Sequence, residues 1–175
     1  MWKTDIRNTI LYEDQEIIVC HKPAGLAVQN ARIGMMDMES AMKNYLAEKN
    51  PKEMPYLGII SRLDQPVEGI LVFARSGRSA AELNRQMGKK EIEKIYLAVS
   101  DREPAQKEAE LEDYLKKDGR NNTSAVTPPG TKGAKKARLS YRVLETLPDQ
   151  RTDTGIRCLI QVRLDTGRHH QIRVQ

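Results

Sequence analysis

The sequence predicts an α+β fold, a mainly antiparallel mixed sheet with flanking helices. Three observations carry this. Apolar runs of strand length recur along the chain, bounded by Gly, Pro, Asn and Asp. Helical periodicity is confined to a few short segments. Neither an internal repeat nor a doubly wound βαβα rhythm is present.

Ile10-Leu11-Tyr12 and Ile17-Ile18-Val19-Cys20, separated by the acidic turn Glu13-Asp14-Gln15-Glu16, read as two strands, and Pro23-Ala24-Gly25 ends the second. Met38, Met42, Tyr45 and Leu46 recur at helical spacing, so a helix is predicted from Asp37 or Glu39 to about Lys49. Leu57 to Ile60 and Ile70 to Ala74 are continuous apolar runs, predicted as strands buried on both faces with the polar segment 61–69 between them. Ser76 is the expected cap of a helix running to Met87, with Ala80, Leu83 and Met87 on one face and Gly88 as its stop. Ile95 to Val99 forms a further strand carrying Tyr96. The stretch from Gly119 to Ala134 has turn composition and is predicted as a long loop, either mobile or in contact with a ligand. Leu139 to Leu147 and Ile156 to Leu164 alternate as half-buried strands, after which Thr166 or Gly167 opens a helix.

A chain of 175 residues, 39% hydrophobic, fits one domain with a single core. No apolar run approaches the roughly 18 residues of a membrane span, so a cytoplasmic protein is expected. Cys20 and Cys158 lie in apolar strand-like runs, where a thiol packs as a small hydrophobe. With His21, His169 and His170 they form no metal-binding spacing, and no metal site is expected. The charge is regional. Between Tyr114 and Arg142 eight basic residues face one acid, Asp118, a local +7 that leaves −2 for the rest of a chain of total +5. Such a segment suits phosphate contact, or is a solvated basic loop.

Two segments carry candidate chemistry. In an extended Ser61-Arg62-Leu63-Asp64, residues two apart point to one side, so Arg62 and Asp64 are expected together, either as a structural ion pair or as a functional one. The run from Asp165 to Gln175 gathers Arg168, His169, His170, Gln171 and Arg173. Read as one helix, it places His169 with Arg173 and Arg168 with Ile172.

Together these segments resemble the RluA-type pseudouridine synthases, whose pattern Arg-Leu-Asp followed by Gly and an apolar strand is matched by Arg62-Leu63-Asp64 and Gly69-Ile70-Leu71-Val72-Phe73-Ala74. The remaining motifs occur in the family's order. Leu11-Tyr12-Glu13-Asp14 and Lys22-Pro23-Ala24-Gly25 come first, then Lys94-Ile95-Tyr96-Leu97-Ala98, then Thr166-Gly167-Arg168 with His170-Gln171-Ile172-Arg173.

The resemblance implies one pseudouridine-synthase domain over 1–175, incomplete at its C-terminus and without an S4-type RNA-binding domain, acting on ribosomal or transfer RNA without a cofactor and as a monomer. It implies Asp64 as the catalytic carboxylate, Arg173 as its ion partner and Tyr96 as the ring that stacks on the target base and accepts the C5 proton. Arg62 would then lie near the flipped nucleotide, with Arg168, His170 and Gln171 as further RNA contacts. The charge of the basic segment adds Lys132, Lys135 and Lys136 to the expected RNA contacts. Two other readings remain: a catalytically inactive RNA-binding remnant of the fold, and a base-releasing glycosidase using Asp64. The chain departs from the family pattern at Ser61 (usually His), Val67-Glu68 (commonly Thr-Ser), His169 (Ser or Thr) and Gln175 (His).

Overall fold

Asp14 folds the first two strands together. Its carboxylate accepts from the N–H groups of Glu16 at 2.7 Å and Ile17 at 2.8 Å, so the acidic turn closes on its own side chain and β1 (Ile10–Glu13) pairs antiparallel with β2 (Ile17–Lys22). This hairpin opens the first of two compact units, Met1–Glu91 and Ile92–Gln175, in a computed structural model that describes residues 5–30 and 34–175.

In the first unit the sheet order is β1-β2-β4-β3, with β3 at Gly58–Ile59 and β4 at Gly69–Ala74, all antiparallel. Alternation along β2 turns Ile18, Cys20 and Lys22 inward, opposite Phe73, Leu71 and Gly69. Helix α1 (Met38–Lys49) starts where the Asp37 carboxylate accepts from the Ser40 N–H at 2.7 Å, and covers this face with Met38, Met42 and Leu46. Each such side chain contributes about 1.5–3 kcal/mol on burial. Glu13 ties β1 to the same helix by accepting from Tyr45 Oη at 2.6 Å and Lys49 Nζ at 2.8 Å.

Helix α2 (Gly77–Gly88) begins in a reciprocal cap between Ser76 and Ser79. It packs closely through Ala80, and a Cβ at Gly58 would meet the Cβ atoms of Ala80 at 3.2 Å and Ala74 at 3.3 Å. Gly88 is the last helical residue and not the stop. The left-handed residue is Lys90 (φ +59), after which the Glu91 N–H returns to the Gln86 carbonyl at 2.9 Å.

The expectation of two strands buried on both faces is corrected. β3 is only two residues long, and Ile70 of β4 is 55% exposed while Leu71 and Phe73 are buried. In an antiparallel sheet only one face need be packed.

The second unit is a five-stranded antiparallel sheet in the order β5-β9-β8-β6-β7: β5 Ile95–Ser100, β6 Glu108–Asp118, β7 Thr123–Thr127, β8 Lys135–Pro148 and β9 Ile156–Leu164. The predicted loop at 119–134 is therefore corrected too, since β7 lies inside it and pairs with β6. β6 carries Glu108, Glu110 and Glu112 on one face, which its register sets against Arg142, Ser140 and Arg138 of β8. Arg138 pairs with Glu110 at 2.6 Å and Lys136 with Glu112 at 2.7 Å. These exposed pairs are worth under about 1 kcal/mol each, but they cancel part of the basic segment's charge.

The last predicted helix is shorter than expected: α3 spans Gln171–Val174, and 165–170 is a non-helical turn. The pairing of His169 with Arg173 on one helical face therefore does not hold. Among the described residues no helix is long and apolar enough to cross a membrane.

Burial pushes the Cys20 thiol from an ordinary 9.0 up to about 12. Between those values the unfolded thiol ionises first, the unfolded chain binds fewer protons, and stability falls as pH rises, by about 1.4 kcal/mol per pH unit from this group. Urea denaturation of wild type and Cys20→Ala from about pH 8 to about pH 11 is expected to show the shallower decline in the variant. Parallel declines would assign the alkaline sensitivity elsewhere.

Candidate active site

β2 ends its buried series on a lysine. Lys22 has no exposed surface, and burying an ammonium costs several kcal/mol unless its protons find acceptors. Three carbonyls receive them: Leu26 at 2.6 Å, Pro23 at 3.0 Å and Gln65 at 3.1 Å. Two acceptors belong to the loop after β2 and one to the turn between β3 and β4, so a single cation joins two loops. The main chain doubles the join: the Gly25 N–H donates to the Gln65 carbonyl at 2.8 Å and Gln65 Nε2 donates to the Gly25 carbonyl at 3.0 Å. Gly25 has φ +85, a left-handed conformation that glycine adopts without a Cβ penalty.

Asp64 directly precedes Gln65. Its carbonyl accepts from the Val67 N–H at 3.0 Å, which closes the turn, and the residue is half-buried. Burial pushes the Lys22 ammonium down, and the negative charges of Asp64 and Glu68 oppose that shift. Asp64 thus lies in the field of a buried cation from its own unit. Glu68 is exposed, so solvent screens the extra acid. Arg62 is exposed as well, and among the described residues no ion pair engages it. Residues 61–64 are not in a strand, so the two-residue alternation expected to hold Arg62 against Asp64 does not apply.

In the second unit a buried amide does the comparable work. Gln171 is 3% exposed; its Oε1 accepts from Thr166 Oγ1 at 2.8 Å and from the Arg168 N–H at 3.0 Å. Its Nε2 donates to the Arg138 carbonyl at 3.1 Å and to Gln175 Oε1 at 2.8 Å. Expected among the RNA contacts, Gln171 is engaged inside the turn and shapes it. His170 is left-handed (φ +54) at the start of α3. Arg168 donates from Nε to the Lys136 carbonyl at 2.7 Å.

Tyr96 is half-buried and stands opposite Val162, on the sheet face shared by Ala98 and Ile160. Ala98, Ile160, Val162, Leu139 and Ile172 line a concavity of about 930 Å³ on this unit, with the exposed Arg173 at its border. The same concavity is also lined by Asp101, Asp153, Arg151 and Arg157, so its wall is mixed in charge. Lys132, Lys135 and Lys136 are all exposed, and Lys136 is paired with Glu112. Asp64 belongs to the first unit; Tyr96 and Arg173 belong to the second.

The RNA pseudouridylate synthase family model matches residues 16–175. The chain belongs to this family. Among individual RNA pseudouridylate synthases it is 31% identical to ribosomal large subunit pseudouridine synthase D of Xylella fastidiosa, over 97% of this chain and 48% of that protein. It is 29% identical to tRNA pseudouridine synthase C of Vibrio cholerae, over 94% of this chain and 66% of that protein. The chain therefore spans about half to two thirds of the length of these relatives. The solved human RNA pseudouridylate synthase domain containing 4 has the same fold, with a TM-score of 0.78 at 19% identity over 97% of this chain and 63% of that one.

Sequence reasoning quoted Lys22 within a motif but gave it no role. The signal was its position, in step with the inward-facing Ile18 and Cys20 of an alternating strand. In Lys22→Met the volume stays and the three charge-assisted hydrogen bonds go, while an ion-burial cost is relieved. The expected net is a loss of about 1–3 kcal/mol in unfolding free energy by urea titration, with faster proteolysis at 23–26 and 64–67. A variant as stable as wild type would show that burial of the ammonium cancels its bonds.

Proposed function

We propose that the chain is the catalytic region of a cytoplasmic RNA pseudouridine synthase that isomerises uridine to pseudouridine in structured ribosomal or transfer RNA, with Asp64 as the catalytic carboxylate. The observation that carries the reading is the family match over residues 16–175, which includes the Asp64 turn pinned by Lys22 and the Tyr96 and Arg173 segments. The names of the two relatives, one ribosomal and one transfer-RNA enzyme, support RNA as the substrate class.

The reaction needs no co-reactant. The bond between N1 of uracil and C1′ of ribose breaks, the base turns, C5 bonds to C1′, and the proton leaving C5 is balanced by one gained at N1. A carboxylate held ionised serves either as the nucleophile at C1′ or as the counter-charge to the electron-poor sugar. The Lys22 ammonium lies near the Asp64 carboxylate within the first unit, and Arg173 is the proposed partner from the second. Tyr96 would stack on the base over the apolar sheet face and take the C5 proton, while Arg62, Arg168, His170 and the lysines at 132, 135 and 136 meet phosphate or the flipped nucleotide.

Incubation with unmodified ribosomal or transfer RNA, followed by nucleoside analysis, is expected to yield pseudouridine from wild type. Asp64→Asn is expected to lower the rate by roughly a thousandfold or more with RNA affinity within about twofold. Wild-type RNA binding without product would favour the inactive remnant, and free uracil with an abasic ribose would favour the glycosidase.

A further inference from the structure

His169 stands where the matching family pattern has Ser or Thr, and its surroundings give the larger side chain a task. Its imidazole is held at both nitrogens: Nδ1 lies 2.8 Å from Ser124 Oγ and Nε2 lies 3.1 Å from Asn122 Oδ1. One face of the ring stacks on His170, with centroids 3.7 Å apart and planes inclined by 25°. Ser124 is in β7 and Asn122 is the left-handed residue (φ +51) of the β6–β7 turn. A carboxamide oxygen only accepts, so Nε2 carries a proton; the hydroxyl can donate to Nδ1 or accept from it, and both bonds therefore persist whether the ring is neutral or protonated.

Besides this contact, the strand it grips is held by β6 and by packing against α3. β7 is five residues long and lies at the sheet edge with β6 as its one neighbour. The hairpin is also cationic: Lys116, Lys117 and Arg120 are exposed, and the register places Lys117 opposite Ser124, on the face that meets His169. Across the contact, the turn from Thr166 to His170 is itself fixed by Gln171 and carries Arg168.

We propose that His169 is a positioning residue that fastens the basic β6–β7 hairpin to the Arg168–Arg173 turn, so that Lys117, Arg120 and Arg168 present one fixed cationic surface to RNA phosphates. This rests on the RNA pseudouridine synthase reading above. Fixed cations lose less ordering entropy on meeting a phosphate backbone than cations on a hairpin end free to move, so the latch acts on RNA affinity and not on the chemical step.

The test combines amide hydrogen exchange of the free protein with RNA affinity and steady-state kinetics on ribosomal or transfer RNA. In His169→Ala the β7 amides are expected to exchange about tenfold faster, the Kd and KM for RNA to rise about three- to tenfold, and kcat to change less than about twofold. His169→Asn, which can keep only the Ser124 bond, and His169→Gln, which can keep only the Asn122 bond, should fall between wild type and His169→Ala. Adding Ser124→Ala to His169→Ala should cost little more than His169→Ala alone. Unchanged β7 exchange in His169→Ala, or faster exchange with unchanged RNA affinity, would overturn the proposal. Wild-type affinity and product formation report separately on the functional reading: a wild type without RNA affinity removes that reading and the phosphate role with it, whereas a failed latch leaves wild-type turnover intact.

Discussion

The Lys22 ammonium, enclosed with no exposed surface by the carbonyls of Pro23, Leu26 and Gln65, is the constraint on which the first unit's site depends. Lysine is almost never fully buried unless its charge is matched, and here the match is made by backbone dipoles with Asp64 and Glu68 as nearby charges. The arrangement costs desolvation and returns geometry. Removing one acceptor loop would leave a buried cation short of a partner, so the two loops have to close together. Pro23 and Gly25 set the path of one loop, and the 64–67 turn sets the other.

The second unit is organised on the same principle with a neutral group. Gln171 uses both ends of its amide inside the turn, taking the Arg168 N–H and the Thr166 hydroxyl at one end and giving to Arg138 and Gln175 at the other. Those bonds bridge the non-helical turn 165–170, in which His170 has positive φ. Of the motif residues expected to contact RNA, Gln171 is thus buried in the turn and holds it in shape.

Hydrophobic patterning made β1, β2, α1, α2, β5, β8 and β9 legible as elements; in β2 and α1 the apolar spacing also reports the buried face, whereas Leu11 and Tyr12 of β1 and Ile95, Leu97 and Val99 of β5 are exposed. β6 was missed because one of its faces is Glu108, Glu110 and Glu112, a pattern that reads as solvated charge until the basic face of β8 is set beside it. β7 was hidden in a run rich in Asn, Thr, Pro and Gly, and its identity as a strand comes from pairing with β6, a partner the sequence reading had not found. The ordered motifs that carry the family resemblance were readable, and the family match agrees with that resemblance. The buried roles of Lys22 and Gln171 were not, since both are residue types that composition assigns to the surface.

The same missed strand changes the electrostatic reading. Counted along the chain, 114–142 carries a dense positive charge, but Glu110 and Glu112 sit against Arg138 and Lys136 across the sheet, and Asp165 also pairs with Arg138 at 3.2 Å. Of the other six basic residues, Lys116, Lys117 and Arg120 lie with Asp118 at the β6–β7 hairpin, Lys132 and Lys135 in and just after the β7–β8 connection, and Arg142 within β8, so most of the uncancelled charge lies toward the ends of the ladder. An RNA backbone, with charge spaced regularly along it, is attracted by such a localised field more than by a diffuse net charge, and the attraction falls with salt as counterions compete. Placing cations on a short edge hairpin creates a need to hold that hairpin in place. His169 meets the need from the neighbouring turn, so the charge pattern and the latch belong to one design problem: a phosphate-facing surface must be both positive and still.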